Sequence, residues 1–386
     1  MDLSYILNHL GENHRDYFNA IAPPIMQTSN FAFKDVDGLR KALADEYGNT
    51  LYSRGNNPTV DMLRKKLAAL DGAEDALVMG SGMAAISTAV MAHVMQGDHI
   101  VSITNPYNWT YKLFAELLPC FGIRTTFVDG KAPDCVEKAI RPDTRLIYLE
   151  SPNTLTYELQ DLEAIAALAR SRNILTLIDN SYCTPLYQQP IKYGIDMCVQ
   201  SATKYIGGHS DVIAGVLTGS RTMIKKIFEG EFLNIGTNIS PMNAWLLLRG
   251  LRTLPVRLQS ISETTMQVVG FMAAHPKIEK VYYPFHPSFP QYELAKKQML
   301  GCGGLFTVTI RTTDGEAVER FCNALKYFFL AVSWGGHESL VSPWIAGVAK
   351  NEFDPANEMH RQVRFYVGLE DAAFLIEDLR QALDLL

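Results

Sequence analysis

Ile174-Leu175-Thr176-Leu177-Ile178-Asp179-Asn180 and, after a short connection, Met197-Cys198-Val199-Gln200-Ser201-Ala202-Thr203-Lys204 decide how this chain is read. Each stretch opens on an apolar run that predicts a strand, and each closes on side chains able to do chemistry. In a parallel sheet both would emerge along one edge, beyond the carboxyl ends of the strands. A lysine, a carboxylate and hydroxyl donors gathered there are what pyridoxal phosphate needs. The lysine amine forms a Schiff base with the aldehyde, the carboxylate keeps the pyridine nitrogen protonated, and the hydroxyls hold the phosphate. The opposite charge raises that nitrogen's pKa, which maintains the ring as an electron sink. Taken singly, Asp179 also reads as a helix cap and Lys204 as a surface lysine; their pairing moves both towards function.

Working outward, short apolar runs alternate with helical patterns. Strands are predicted at 76–79, 100–103, 145–149, 174–178, 197–199 and 212–217, with helices at 83–95, 111–118 and 162–169 between them. Continuous apolar strands alternating with helices predict an α/β fold, a mostly parallel sheet covered on both faces. Gly80-Ser81-Gly82-Met83-Ala84-Ala85 follows the first strand. Glycines there let backbone amides approach a phosphate at the positive end of a helix. The string also fits the G-x-G-x-x-A dinucleotide pattern, so a nicotinamide dehydrogenase is weighed; it would leave Asp179 and Lys204 without a task. At Gly80 a turn serving only close packing remains open. Tyr107, after the second strand and Asn105-Pro106, reads as a ring stacked on the cofactor and able to exchange a proton, or as a core aromatic.

The chain has 386 residues, 47% of them hydrophobic, and a formal net charge of -6. This gives no sign of a nucleic-acid surface. Residues 1–50 are expected to form an N-terminal arm, 51–240 the cofactor-binding domain, and 241–386 a smaller α+β domain. In the last of these a helical stretch at 241–275 is expected to be interrupted near Pro255. The 6 cysteines are scattered without a C-x-x-C pair, which argues against a disulfide framework or a metal site and suits a reducing cytosol. No secretory signal and no membrane-spanning apolar run is visible, the best candidate at 84–95 being short and interrupted. A soluble, cytoplasmic protein is the expectation.

Further motifs, in order along the whole chain, resemble the Cys/Met-metabolism family of pyridoxal phosphate enzymes (cystathionine γ-synthase, the β- and γ-lyases, methionine γ-lyase). They are Ala22-Pro23-Pro24-Ile25, Tyr52-Ser53-Arg54 with Asn57-Pro58-Thr59, Ser81 to Ala85, Glu150-Ser151-Pro152, Asp179-Asn180 and Ser201 to Tyr205. The series continues through Gly208-His209-Ser210-Asp211, Arg249-Gly250-Leu251-Arg252, Ser333-Trp334-Gly335-Gly336 with Glu338-Ser339-Leu340, and Arg364 with Val367-Gly368-Leu369-Glu370. The resemblance implies the fold type I transferase architecture. Lys204 would be the Schiff-base lysine and Asp179 the pyridinium partner. Gly82, Met83, Ser201 and Thr203 would hold the phosphate, and Tyr107 would stack on the ring. Arg364, with Ser333 and Trp334 nearby, would clamp the carboxylate of a sulfur amino acid. Tyr52 and Arg54 would reach the phosphate of a neighbouring subunit, making a homodimer obligatory and a homotetramer the usual assembly.

Within that family, Ser333-Trp334-Gly335-Gly336 and Glu150-Ser151-Pro152-Asn153-Thr154-Leu155-Thr156 resemble the bacterial cystathionine β-lyases. Val332 replaces an acidic residue that γ-acting members often carry. Asp179-Asn180-Ser181-Tyr182-Cys183-Thr184-Pro185 looks closer to the γ-type version. Trp109 stands where methionine γ-lyases generally have cysteine; its indole either narrows the pocket or packs against the sheet. The expectation is a carbon-sulfur β-lyase releasing a thiol, pyruvate and ammonia, placed in methionine synthesis. The alternatives are a γ-acting relative (methionine γ-lyase, cystathionine γ-lyase or γ-synthase) and a non-catalytic, pyridoxal phosphate-binding regulatory protein.

Overall fold

In the strand Thr144–Glu150, alternate side chains leave for opposite faces of a sheet, and this sets the first layer of the architecture. Leu146 and Tyr148 join a core with Ala85, Ile86, Ala89 and Val90 of the helix Gly82–Met91. Ile147 and Leu149 join a second core with Leu162, Ile165, Ala166 and Ala169 of the helix Leu162–Ser171. A strand buried on both faces reads as a continuous apolar run, which is why the sequence shows no alternation there.

The computed structural model describes residues 1–386, and the chain divides into two units. The first comprises Met1–Ser151, Gln160–Gly207 and Asp211–Arg252. Its strands are β1 (Asp75–Met79), β2 (His99–Ile103), β3 (Arg124–Val128), β4 (Thr144–Glu150), β5 (Leu175–Asp179), β6 (Met197–Ser201) and β7 (Gly215–Gly219). They lie in the order β1-β7-β6-β5-β4-β2-β3. Only β7 runs antiparallel to its neighbours. The carboxyl ends of β1, β2, β4, β5 and β6 therefore share one edge. The strand β3 escaped the sequence reading because Arg124-Thr125-Thr126-Phe127-Val128 is a half-exposed edge strand with little apolar signal. The strand expected at 212–217 starts instead at Gly215, because Thr203 binds both the backbone amide and the carbonyl of Ala214 and holds that segment off the sheet.

The second unit comprises Pro152–Leu159, Gly208–Ser210 and Thr253–Leu386. Its sheet joins β8 (Ile278–Tyr282), β9 (Leu305–Ile310), β10 (Phe329–Leu330), β11 (Leu340–Pro343) and β12 (Gln362–Tyr366) in the order β10-β11-β12-β9-β8. Phe365 stacks on Phe306 at 5.3 Å and meets Phe321 and Phe328 edge-on, forming the aromatic centre of this core.

The expected break near Pro255 does not occur: one helix runs from Pro241 to Ala274 with the proline inside it. A proline in a helix interior costs about 3 kcal/mol through a lost hydrogen bond and a clash. Leu247, Leu251, Leu254, Leu258 and Ile261, all buried along this helix, offset that at roughly 1.5–3 kcal/mol each. The units divide inside this helix, between Arg252 and Thr253, where the sequence reading placed a change at about 240. No helix is long and apolar enough to cross a membrane.

Candidate active site

At the carboxyl end of β1 the chain turns through Gly80-Ser81 into the helix Gly82–Met91. The Ser81 side chain caps that helix, its Oγ accepting the Ala84 amide at 3.0 Å. A Cβ at Gly82 would lie 3.1 Å from the Cβ of Ser201, so glycine lets the end of β6 press against the start of the helix. At Gly215 a Cβ would stand 2.1 Å from the Ser81 carbonyl oxygen, so no side chain fits there either. The outcome is a ten-residue helix whose positive end lies beside the Ser201 side chain. Met83 follows, its sulfur 3.8 Å from the Thr110 hydroxyl. Thr203, expected at the phosphate, spends its hydroxyl on Ala214, accepting the amide at 3.0 Å and donating to the carbonyl at 3.2 Å.

Asp179 ends β5 and is buried. Its Oδ1 accepts the Ser181 amide at 2.9 Å and the Ser181 hydroxyl at 2.6 Å. Burial pushes this carboxyl up, while the two Ser181 bonds and the positive charge of Lys204 draw it back down. Lys204 sits on the turn after β6, where its amide bonds the Ser201 carbonyl at 3.1 Å and the Gly207 amide bonds the Ala202 carbonyl at 2.8 Å. Gly250 on the long helix lies against this turn. A Cβ there would reach 2.3 Å from the Gly207 carbonyl oxygen, which accounts for glycine in the Arg249-Gly250-Leu251 motif. Tyr107 begins the helix Asn108–Lys112, and its backbone amide donates to Glu150 Oε2 at 2.6 Å.

Trp109 does not pack against the sheet. It is 55% exposed, with the Lys112 ammonium 4.9 Å from its ring, and lines a 690 Å³ cleft with Ser81, Met83 and Leu113. Of the two readings weighed for it, the indole is therefore a wall of a cleft. Tyr52 and Arg54 share an exposed turn, the guanidinium 5.7 Å from the Tyr52 ring centre.

In the second unit, Arg364 lies on β12 opposite Ser342 of β11 and Thr307 of β9. Its positive charge acts on the buried Tyr157, whose hydroxyl meets Thr307 Oγ1 at 3.1 Å; burial pushes that phenol up and Arg364 draws it down. Ser333 takes a left-handed φ of 75°, and Trp334 is buried. Glu370 accepts both the amide and the hydroxyl of Ser339 at 2.8 Å, tying together the two motifs at 338–340 and 367–370.

The edge of the first sheet thus gathers Gly82, Met83, Ser201, Asp179, Lys204 and Tyr107. Three contributors escaped the sequence reading. Ser181 lay inside a quoted motif without a role, Glu150 was read only as part of Glu-Ser-Pro, and Gly215 offered no signal beyond being a glycine at a strand start.

Similarity to known proteins extends over nearly the whole chain. The model of the family described as Cys/Met metabolism PLP-dependent enzyme matches residues 5–384. The chain is 37% identical to an L-methionine gamma-lyase of Treponema denticola over 380 residues, 96% of this chain and 94% of that protein. It is 37% identical to a cystathionine gamma-lyase of Macaca fascicularis, covering 97% and 92%, and 35% identical to one of Bacillus subtilis, covering 98% of each. The crystal structure of metB from Corynebacterium glutamicum superposes with a TM-score of 0.91 at 33% identity, over 100% of this chain and 98% of that one.

The donor set fits pyridoxal phosphate. The glycine-lined approach to a helix N-terminus beside Ser201 suits a phosphate, and a buried carboxylate close to a lysine suits the charged ring and the aldehyde.

Proposed function

The chain belongs to the Cys/Met metabolism PLP-dependent enzyme family, and from that premise we propose that it is a carbon-sulfur lyase acting on a γ-substituted sulfur amino acid. The observation that carries this reading is the likeness over nearly the whole chain to methionine and cystathionine γ-lyases. It favours the γ-acting alternative of the sequence reading over the β-lyase. The γ-type stretch Asp179 to Pro185 supports it further.

Pyridoxal phosphate, when bound, supplies an electron sink for the pair left at the substrate Cα. The chain's own groups do the rest. The helix start at Gly82-Met83, with the Ser201 hydroxyl, holds the phosphate, and Thr203 shapes the adjoining loop. The Asp179 carboxylate keeps the proton on the ring nitrogen. The Lys204 amine would hold the cofactor through its aldehyde and would serve as the base for the Cα proton. For γ-elimination the same amine would have to pass that proton on and then take one from Cβ, whose electron pair forms the Cβ=Cγ bond as the Cγ–S bond breaks. Tyr107, its backbone amide held by Glu150, would stack on the ring, and its phenol would give a proton to the departing sulfur. The Arg364 guanidinium takes the substrate carboxylate in a bidentate pair, with Ser333 and Trp334 beside it. Tyr52 and Arg54 serve the phosphate of a second copy, so the working form is at least a homodimer.

β-Elimination is the second reading. Trp334 is buried in the motif that resembles β-lyases, and the preceding Val332 is 81% exposed and apolar where γ-acting members often carry an acid. Purified protein given L-methionine and, separately, L-cystathionine discriminates the two through the keto acid released. The γ-lyase reading requires 2-oxobutyrate, with methanethiol from methionine or cysteine from cystathionine. Pyruvate with homocysteine from cystathionine, and no product from methionine, would replace it with the β-lyase.

A further inference from the structure

The Ser181 side chain stands between the two ends of the candidate cofactor site. Its Oγ lies 2.6 Å from Asp179 Oδ1 and 2.6 Å from the backbone nitrogen of Ser201. An amide N–H only donates, so the Ser181 oxygen must accept from Ser201. An ionised carboxylate only accepts, so the single Ser181 hydrogen must go to Asp179. The direction of both bonds is thereby forced. Oδ1 of Asp179 is filled by the Ser181 hydroxyl and amide, and Oδ2 takes part in neither bond. A short turn closed by the amide would form with any residue at 181. Only a hydroxyl also reaches the end of β6, twenty residues further along the chain.

Resting on the reading of Asp179 as the partner of the ring nitrogen, we propose that Ser181 is a positioning residue. It holds the Asp179 carboxylate ionised with Oδ2 turned to the ring, and it locks that carboxylate to the strand end that carries the phosphate-binding Ser201. A hydrogen bond donated to the charged form stabilises that form, so the shared proton stays on the ring nitrogen and not on the carboxylate. Without the hydroxyl the carboxylate becomes the better base, the ring loses positive charge, and the Ser201 amide loses its acceptor.

The test uses the holoenzyme and three substitutions, Ser181→Ala, Ser181→Cys and Ser181→Thr. Three properties are read: the pH at which the visible absorbance of the bound cofactor changes, the cofactor dissociation constant, and kcat with KM. For Ser181→Ala the absorbance transition moves to higher pH, the dissociation constant rises about tenfold, and kcat falls about tenfold with KM within about twofold, as expected for one lost bond to a charged group. Ser181→Cys, a weaker donor of similar shape, moves each property in the same direction. Ser181→Thr keeps the hydroxyl and retains wild-type values. A wild-type transition pH in Ser181→Ala, or a threonine variant that behaves like the alanine one, overturns the proposal. Asp179→Ala separates the layers. If it moves the transition while Ser181→Ala does not, only the role of Ser181 falls; if Asp179→Ala itself leaves the transition unmoved, the assignment of Asp179 falls and takes Ser181 with it.

Discussion

Glu150 and Asp179 stand directly opposite each other in register at the carboxyl ends of the adjacent parallel strands β4 and β5. Both are buried. Two neighbouring carboxylates removed from water are costly unless each is hydrogen-bonded, and each has its own donors. Glu150 Oε2 takes the Tyr107 amide, and Asp179 Oδ1 takes the hydroxyl and amide of Ser181. The pair therefore divides its partners, one carboxylate fixing the backbone at Tyr107 and the other the turn at Ser181.

The first consequence concerns Tyr107. Replacing Glu150 by Ala releases the Tyr107 amide, and the ring loses its fixed approach. The expected result is a fall in kcat of roughly tenfold, the usual scale for one charge-assisted bond, with a weakened visible circular dichroism of the bound cofactor. Stopped-time assays with spectra at matched cofactor occupancy measure both.

Removal of the Lys204 amine gives the largest effect. Lys204→Ala is expected to lose turnover by a factor on the order of 10³ or more, the scale of a positioned general base combined with lost covalent attachment. Far-ultraviolet circular dichroism should stay unchanged, since the turn from Ser201 to Gly207 is closed by backbone bonds.

Packing at the turn after β1 leaves no room for a methyl group. Gly215→Ala would place a Cβ 2.1 Å from the Ser81 carbonyl oxygen, against backbone that cannot swing away. A stability loss of about 1–3 kcal/mol is expected, with weaker cofactor binding, because the start of the helix Gly82–Met91 must shift. Chemical denaturation and cofactor titration of the same preparation test this.

Beneath the sheet, Asp71 is fully buried among Gln200 and Thr218, which donate to it at 2.9, 3.0 and 2.7 Å, and burial pushes its carboxyl up to about 7. The carboxyl is raised above its ordinary 3.8 in the folded chain, so folding favours the protonated form. Its contribution is complete below about pH 4 and is lost as pH rises through about 7. Asp71→Asn should flatten the decline in unfolding free energy across that window, by a few kcal/mol as an order of magnitude. Gln200 Oε1, buried without a hydrogen-bond partner, can accept from the new amide if the Gln200 amide turns over.

The N-terminal arm is tied down by charge. Lys66 Nζ lies 3.0 Å from Glu12 Oε1 and donates to the Ile6 and Leu7 carbonyls, while Arg252 approaches Glu12 at 2.9 Å. Both the Lys66 and Glu12 side chains are essentially inaccessible, at 1% and 0%. Glu12→Gln leaves a buried cation uncompensated and is expected to cost about 3–5 kcal/mol in chemical denaturation.

Much of this was legible in residues. The apolar runs before Asp179 and Ser201 announced buried strands, and the residues closing them are those that the proposed chemistry uses. The edge strand β3 stayed hidden because Thr125 and Thr126 carry no apolar pattern, and the helix through Pro255 because tertiary burial outweighs a local rule. Thr203 was read as a phosphate ligand from its place in the motif, yet its hydroxyl is engaged by Ala214, a residue eleven positions away that no local pattern points to. Ser181 was invisible as a contributor for the same reason: its importance lies in the distance to Ser201, which only folding creates. The choice between β- and γ-elimination was the least legible, because the motifs at 150–156 and 333–336 point one way and the full-length likeness points the other.

The most direct measurement is borohydride reduction of the yellow holoenzyme followed by peptide mapping, which fixes the cofactor onto whichever lysine carries it. The expected result is a single modified peptide, with the label on Lys204 and none in the Lys204→Ala protein, which has no amine there to hold the cofactor. A label on any other lysine, or a protein that binds no pyridoxal phosphate at all, would contradict it.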